Sequence, residues 1–319
     1  MVEVRAERAS KPETVAVVVV TYNRAHLLVG MLDGLAALER RPDAVIVVDN
    51  ASTDHTQDVL RRDDLPLQVV TSPDNLGGAG GFHLGVRTAY DQGFDRIWLM
   101  DDDVVPAPDC LGVLMAHDED CLMSVREDTS GALVEKAATR FDLHNPLAIK
   151  PKTGMVETTF GTREAMPELV ELENVAFEGF LVRRTVVAEI GLPDPAYFIF
   201  YDDVDFALRA RLSGRRIWAV RDAVLVRQLA FDQQHDLAGW KGYFMYRNLF
   251  VVHLRYGDNL AVRLKPWLIA LAVLVLSPLR GGRPEARNVL RALRDARGLR
   301  RLSPEAAPGA LLSPPSSPR

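Results

Sequence analysis

Cysteine is scarce. Cys110 and Cys121 are the only two in 319 residues, and their spacing suits neither a metal-ligand pair nor a disulfide framework, so a reducing cytoplasm fits. Excess positive charge is missing too: 38 Lys and Arg stand against 43 Asp and Glu, a net charge of −5. No global basic field therefore points to nucleic acid. The stretch Met1 to Pro12 is polar with mixed charge and lacks the apolar core of a signal peptide; it reads as flexible. Long apolar runs are wanting as well. Trp267 to Leu276 (WLIALAVLVL) is apolar throughout, but Pro266 and Pro278 bound it. Read between those prolines it falls short of the roughly 20 residues that cross a bilayer. What remains is an ordinary globular composition, 48% hydrophobic and 25% charged, long enough for one large α/β domain or a domain with appendages.

The most informative feature present is Asp101-Asp102-Asp103, which follows the apolar run Ile97 to Met100. A strand ending in a dense negative charge places that charge where open α/β sheets bind ligands. Adjacent carboxylates repel, and a cation is the natural compensation. Hard oxygen ligands suit Mg²⁺ or Mn²⁺, ions that commonly serve phosphates. A solvated acidic turn is the plainer reading of the same residues.

The order of the chain favours the ligand site. Val15 to Val20 lacks alternation and reads as a strand buried on both faces, Ala44 to Val48 as a second buried strand, and Leu67 to Thr71 and Arg96 to Met100 as a third and a fourth strand. Between them lie helical patterns: Ala25 to Leu38, a segment starting at Ser52-Thr53-Asp54 and running over Gln57 to Arg62, and Phe82 to about Gln92. This β-α-β-α-β-α-β order predicts a mostly parallel, Rossmann-like sheet with right-handed crossovers. Asn75 to Gly81 (NLGGAGG) reads as a glycine loop before a helix N-terminus, an anion site in which Asn75 and Gly78 face the ligand, or simply a tight turn. It matches neither the phosphate-loop pattern nor the dinucleotide fingerprint. Asp118 to Glu173 is less regular and could hold an acceptor-binding insertion. Val175 to Arg183 reads as a strand with Gly179 at its centre, Thr185 to Ile190 as a short helix, and Ile217 to Val220 and Ala223 to Val226 as two late strands.

A second acidic cluster, Asp202, Asp203 and Asp205, opens a helix. Capping accounts for at least one of these carboxylates. A general base must reach an acceptor hydroxyl, and Asp203 is the candidate, with Asp202 beside it as a second catalytic residue and Phe200 and Tyr201 just before as an aromatic platform for a sugar.

The ordered set VAVVVVTYNR (15–24), VIVVDNASTDHT (45–56), NLGGAGGF (75–82), WLMDDD (98–103) and FYDDVDFALRA (200–210) resembles the family-2 glycosyltransferases with the GT-A fold. The resemblance covers roughly the first 230 residues. It implies that Thr21, Arg24 and Asp49 surround a uracil or thymine base and its ribose. It implies that Asp101 and Asp103 hold the metal and diphosphate, that Asp102 orients the donor sugar, and that Asp203 is the base. The family often supplies a metal-ligating histidine on a late strand, and here Arg227 takes that position. Either His235 folds back to replace it, or Arg227 contacts the diphosphate directly. Within the family, the unbroken triplet and the later GWKGYFMYRN (239–248) look most like the actinobacterial galactofuranosyltransferases, and more like the initiating than the polymerising enzyme. That implies inverting transfer from UDP-galactofuranose to a polyprenyl-diphosphate-linked rhamnosyl-GlcNAc acceptor, with Trp240, Tyr243, Arg247 and Asn248 lining the acceptor side or merely packing a helix. A dTDP-rhamnose rhamnosyltransferase and a non-catalytic nucleotide-sugar-binding or glycan-binding member are the alternatives.

The C-terminal third adds an arginine-rich stretch, Arg280 to Arg301, interleaved with Val289, Leu290, Leu293 and Leu299 at helical spacing. A basic amphipathic helix beside an apolar segment predicts attachment to the cytoplasmic membrane surface, where a lipid-linked acceptor would lie. The expected organisation is a catalytic domain over 13–235, a membrane-associating helical region over 236–302, and a Pro/Ser/Ala-rich disordered tail over 303–319.

Overall fold

A computed structural model describes residues 12–148, 150–229, 237–279 and 282–312. Four strands, β1 (Val15–Thr21), β2 (Ala44–Asp49), β3 (Leu67–Thr71) and β4 (Arg96–Asp101), pair in parallel in the order β3-β2-β1-β4. The unbroken valines of β1 are used on both faces. Ala16 and Val18 enter one apolar cluster with α3 (Gly77–Asp91). Val15, Val17 and Val19 enter another with α1 (Ala25–Ala36). α2 is a short turn of helix, Thr56–Val59, less than the sequence pattern suggests.

The sheet continues past β4 with mixed direction. β5 (Val104–Pro106), α4 (Cys110–Met115) and β6 (Cys121–Asp128) follow, then the hairpin β7 (Ala138–Phe141) and β8 (Lys152–Met155), α5 (Val156–Phe160), β9 (Leu169–Leu172) and β10 (Phe180–Arg183). β10 lies antiparallel between β4 and β6. After α6 (Arg184–Ile190) and α7 (Asp202–Leu212), the last strand β11 (Ile217–Arg227) runs parallel to β6, with β5 and β9 antiparallel to it. β11 is one strand where two were expected, because the irregularity between Val220 and Val224 is a bulge and not a break. β10 begins only at Phe180, since Gly179 has φ +105° and interrupts the extended run. The segment 118–173, read as irregular, thus contributes two strands to the central sheet.

Register fixes the edge. Thr21 pairs with Asp49 and Val20 with Asp101, so the carboxyl ends of β1, β2 and β4 lie side by side.

Three helices follow: α8 (Trp240–Tyr256), α9 (Leu260–Leu276) and α10 (Gly282–Gly298). They share an apolar core with Ala79 of α3 and with Tyr197. Pro266, taken above as a boundary, sits inside α9. With its 3₁₀ extension the helix covers Leu260–Leu279, 20 residues, long and apolar enough to cross a membrane by length and composition. Residues 303–312, expected to be disordered, pack on α6: the Leu192 N–H donates to the Ala306 carbonyl at 2.9 Å, and Ala306 is buried.

Candidate active site

The aspartate triplet is split by its surroundings. Asp102 turns inward, where it accepts from the Thr21 hydroxyl at 2.7 Å and from Arg24 at 3.0 Å. Thr21 is itself buried, so its side chain buttresses Asp102, and Arg24 also stands 3.7 Å from Asp103. Asp101 and Asp103 instead converge with a residue the sequence reading missed, Glu178: one carboxylate oxygen from each lies within 4.8 Å of the others. Asp103 Oδ1 is buried and has no hydrogen-bond partner among the described residues. A buried orphan oxygen beside two more carboxylates is what a divalent cation satisfies, so this donor set fits one.

Electrostatics supports the same assignment. Burial, then the charges of Glu178 and its neighbours, pushes Asp101 well above the usual carboxylate range. Asp103 is raised for the same reasons, against the pull of Arg227. Glu178 goes the other way. Burial would raise it, but Arg126, 2.5 Å away, and Arg227 hold it below its ordinary value. Arg227 lies at the end of β11, 3.8 Å from Glu178 and 3.9 Å from Asp103. The residue standing at the expected histidine position therefore faces the carboxylate trio as a cation. His235 lies outside the described residues.

The other donor-side candidates cluster nearby. Asp49 is buried and accepts from the Ser52 N–H at 3.0 Å and from the Gln57 amide. Asn50 donates to the Gly77 carbonyl at 2.9 Å and accepts from the Leu76 N–H at 2.9 Å, and the Asn75 side chain accepts from the Gly77 N–H at 2.8 Å. The expected glycine loop is mostly helix: α3 begins at Gly77. Gly81 and Gly85 there let the helix sit directly on Val20 and Val18, since a Cβ on either would come within 2.4 Å of those valines. Gly78 faces open space.

The second acidic cluster divides three ways. Asp205 is fully buried and accepts from Tyr197 (3.0 Å), Tyr256 (2.7 Å), Arg255 (2.8 Å) and Arg209 (2.9 Å). It is a structural hub, and Arg255 extends it to Asp194 and to the Leu299 and Arg301 carbonyls. Asp202 is pushed well above the carboxylate range by burial and by the charge of Asp203. Asp203 is raised by burial to about 6, offset by the Val204 N–H and by Lys152, with Glu178 pushing upward. Of the pair, Asp203 is thus the one that ionises near neutrality, as a general base requires. Lys152, from the β7–β8 hairpin, is the second contributor the sequence reading missed.

Asp203 follows an unusual turn. Phe198 (φ 63°, ψ −58°) is the centre of a γ-turn closed by the Ile199 N–H on the Tyr197 carbonyl at 2.8 Å. Phe200 (φ 66°) and Tyr201 (φ 68°) are also left-handed. Each such residue costs on the order of 1 kcal/mol. The turn leaves Tyr201 largely inside, where burial and Asp203 raise its hydroxyl to about 12. Beyond it, Phe198 stacks on Phe244 at 5.0 Å with Trp240 edge-on. Trp240 is exposed, whereas Tyr243 bonds Asp295 of α10 at 2.9 Å. Arg247, expected on the acceptor side, is buried and donates to the Ala196 and Tyr197 carbonyls, both at 2.7 Å.

Residues 16–186, more than half of the chain, match the family model "Glycosyl transferase family 2". The chain belongs to glycosyl transferase family 2. Over 74% of its length it is 30% identical to the galactofuranosyltransferase GlfT1 of Mycolicibacterium smegmatis and 32% identical to GlfT1 of Mycobacterium tuberculosis, covering 82% and 81% of those proteins. Among solved structures, this glycosyltransferase shares its fold with the Pyrobaculum calidifontis mannosyltransferase PcManGT in complex with GDP-Man and Mn²⁺ (TM-score 0.54, 22% identity, 95% of this chain and 79% of that one). It likewise matches S. aureus TarS 1-349 in complex with UDP-GlcNAc (TM-score 0.56, 18% identity, 93% and 82%). The GT-A expectation is therefore met.

Proposed function

We propose that this glycosyltransferase moves galactofuranose, with inversion, from UDP-galactofuranose to a rhamnosyl-GlcNAc carried on polyprenyl diphosphate, the initiating step of a cell-wall galactan. Support for the sugar is the likeness to GlfT1 over three quarters of the chain. The observation that carries the chemistry is that Asp203, raised to about 6, feels the charge of Glu178, the carboxylate that converges with Asp101 and Asp103. Asp203 takes the proton of the acceptor hydroxyl as that oxygen attacks the anomeric carbon and UDP departs. A divalent cation, Mn²⁺ or Mg²⁺, held by Asp101, Asp103 and Glu178, supplies positive charge against the diphosphate. Arg24 and Arg227 flank the trio and add guanidinium donors on the same side. Thr21 and Asp102 keep Arg24 in place, while Asp49, Asn75 and Gly78 line the nucleotide end. Phe200, Tyr201 and Trp240 lie toward the acceptor, and Tyr243 anchors α8, the helix that carries Trp240.

The acceptor chemistry is consistent with a surface on α9. Leu260, Leu264, Leu268, Leu271, Val275 and Leu279 recur at helical spacing and are all exposed, all but Leu264 by more than 60%. The adjoining α10 exposes Arg283, Arg287, Arg291, Arg294 and Arg297. An apolar stripe beside a basic one suits peripheral attachment to an anionic leaflet at the cytoplasmic face.

The test is turnover of UDP-galactofuranose with a synthetic lipid-linked disaccharide. Asp203→Ala is expected to lose about 10²- to 10⁴-fold in kcat, and full activity in that variant would remove Asp203 as the base. Turnover with dTDP-rhamnose but not with UDP-galactofuranose would make the enzyme a rhamnosyltransferase.

A further inference from the structure

The strained turn before Asp203 is held from outside by one side-chain pair. Asn248 of α8 is fully buried, and its amide nitrogen lies 3.0 Å from the Tyr197 carbonyl, 2.7 Å from that of Ile199 and 2.9 Å from that of Phe200. Arg247 donates to the Ala196 and Tyr197 carbonyls and, through Nε at 2.8 Å, to the Asn248 side-chain oxygen. That last bond fixes which way the amide faces: its oxygen toward Arg247, its nitrogen toward the turn. The Phe198 carbonyl is taken by the Ala79 N–H at 3.1 Å, and the Tyr201 carbonyl by the Asp205 N–H at 2.9 Å. Every carbonyl from Ala196 to Tyr201 thus has a donor, and three of the six, those of Ala196, Ile199 and Phe200, depend on Arg247 or Asn248 alone. A backbone bent through three left-handed non-glycine residues in four persists only when its surroundings over-determine it. Here the turn is gripped on one face by α8 and on the other by the first turn of α3, and its outgoing end, Tyr201, is the N-cap of α7, two residues before Asp203.

We infer that Asn248, oriented by Arg247, is a positioning residue for Asp203: it holds the Ala196–Tyr201 turn in the one conformation that aims the base at the acceptor. It touches neither donor nor acceptor and acts through Asp203 alone, so the inference rests on the reading of Asp203 as the base.

A mutant cycle on the full-length enzyme tests it. Asn248→Ala is expected to lower kcat about 10²-fold with the donor KM nearly unchanged. In the double variant Asp203→Asn/Asn248→Ala, kcat is expected to equal that of Asp203→Asn alone, because a positioning residue has nothing left to position. Losses that multiply in the double variant, or a loss confined to KM, would overturn the inference. Hydrogen exchange supplies a readout independent of turnover. Amides of 197–205 are expected to exchange faster in Asn248→Ala while those of β1 and β4 do not, and unchanged exchange across 197–205 would equally overturn it. Should Asn248→Ala not fold, Arg247→Ala removes the outer bonds and leaves the amide in place. The same pattern, with a smaller loss, is expected there, and multiplicative loss or unchanged exchange again counts against it. Full activity in Asp203→Asn would refute the base reading, while the exchange data would still decide the clamp.

Discussion

Glu178 carries several demands on one carboxylate. It approaches Asp101 and Asp103, meets Arg126 at 2.5 Å and faces Arg227 at 3.8 Å. Its charge raises Asp101 and Asp103, which burial has already raised. A cation binds the ionised carboxylates and so must displace the protons those raised groups retain in mild acid. Stabilisation by Mn²⁺, read as the rise in Tm on adding it, is therefore expected to be small near pH 5 and to grow toward about pH 7.5. Glu178→Gln removes one ligand and also the charge that raises the other two. Its maximal Tm rise is expected to shrink while its onset moves to lower pH, and a curve unchanged in either respect would put Glu178 outside the metal site. Asp101 to Asp103 were legible because they stand in a row after an apolar strand. Glu178 was not: it is one charge ahead of Gly179 in a run that reads as strand, and only the break at that glycine turns it toward the triplet. Nor does sequence alone show that Thr21 and Arg24 are committed to Asp102, or that Arg247 is spent on backbone carbonyls, since these depend on side-chain direction across the chain.

The parallel core was readable at the level of elements because strands buried on both faces leave unbroken apolar runs. β6 escaped notice because Ser124 and Arg126 interrupt its run, the latter satisfied by Glu135 in the interior. The glycines of 77–85 misled in the opposite sense. Low helix propensity reads as loop, yet the helix needs Gly81 and Gly85 to lie close to β1 and Gly77 to approach the Phe198 carbonyl. Gly77 makes the point testable. It has φ +69°, and a Cβ there would stand 2.0 Å from the Phe198 oxygen. Gly77→Ala is expected to cost more than about 2 kcal/mol in denaturant unfolding. Gly78→Ala, in open space one residue on, is expected to leave stability unchanged or to raise it by up to about 1 kcal/mol. Equal effects at the two positions would contradict the close approach of α3 to the turn.

Across the whole molecule, the sheet domain and the C-terminal helices are continuous. They share Tyr197 and Ala79 in one apolar cluster, so the composition shift near residue 236 marks a change of surface more than a change of body. Pro266 hid the length of α9, because proline was read as a boundary although the helix tolerates it. The exposed stripe makes its own prediction. Serine at Leu268, Leu271 and Val275 together is expected to reduce sedimentation with anionic vesicles several-fold, without altering turnover of a water-soluble, short-chain acceptor. Binding that falls steeply with salt but ignores these three changes would assign attachment to the arginines of α10 alone.

The hub at Asp205 has a consequence for how such an enzyme can change over time. Its carboxylate is fully buried and takes hydrogen bonds from Tyr256 and Arg255 of α8, while Arg255 in turn grips the carbonyls of Leu299 and Arg301. A shortened descendant lacking everything after α7 would keep the negative charge and lose half its donors, in the first turn of the helix that bears Asp203. Deletion is thus a closed route to a freely diffusing version of this catalyst. If α9 attaches the enzyme to a membrane as proposed, release would come by repainting its outer face, residue by residue, with the chain kept whole.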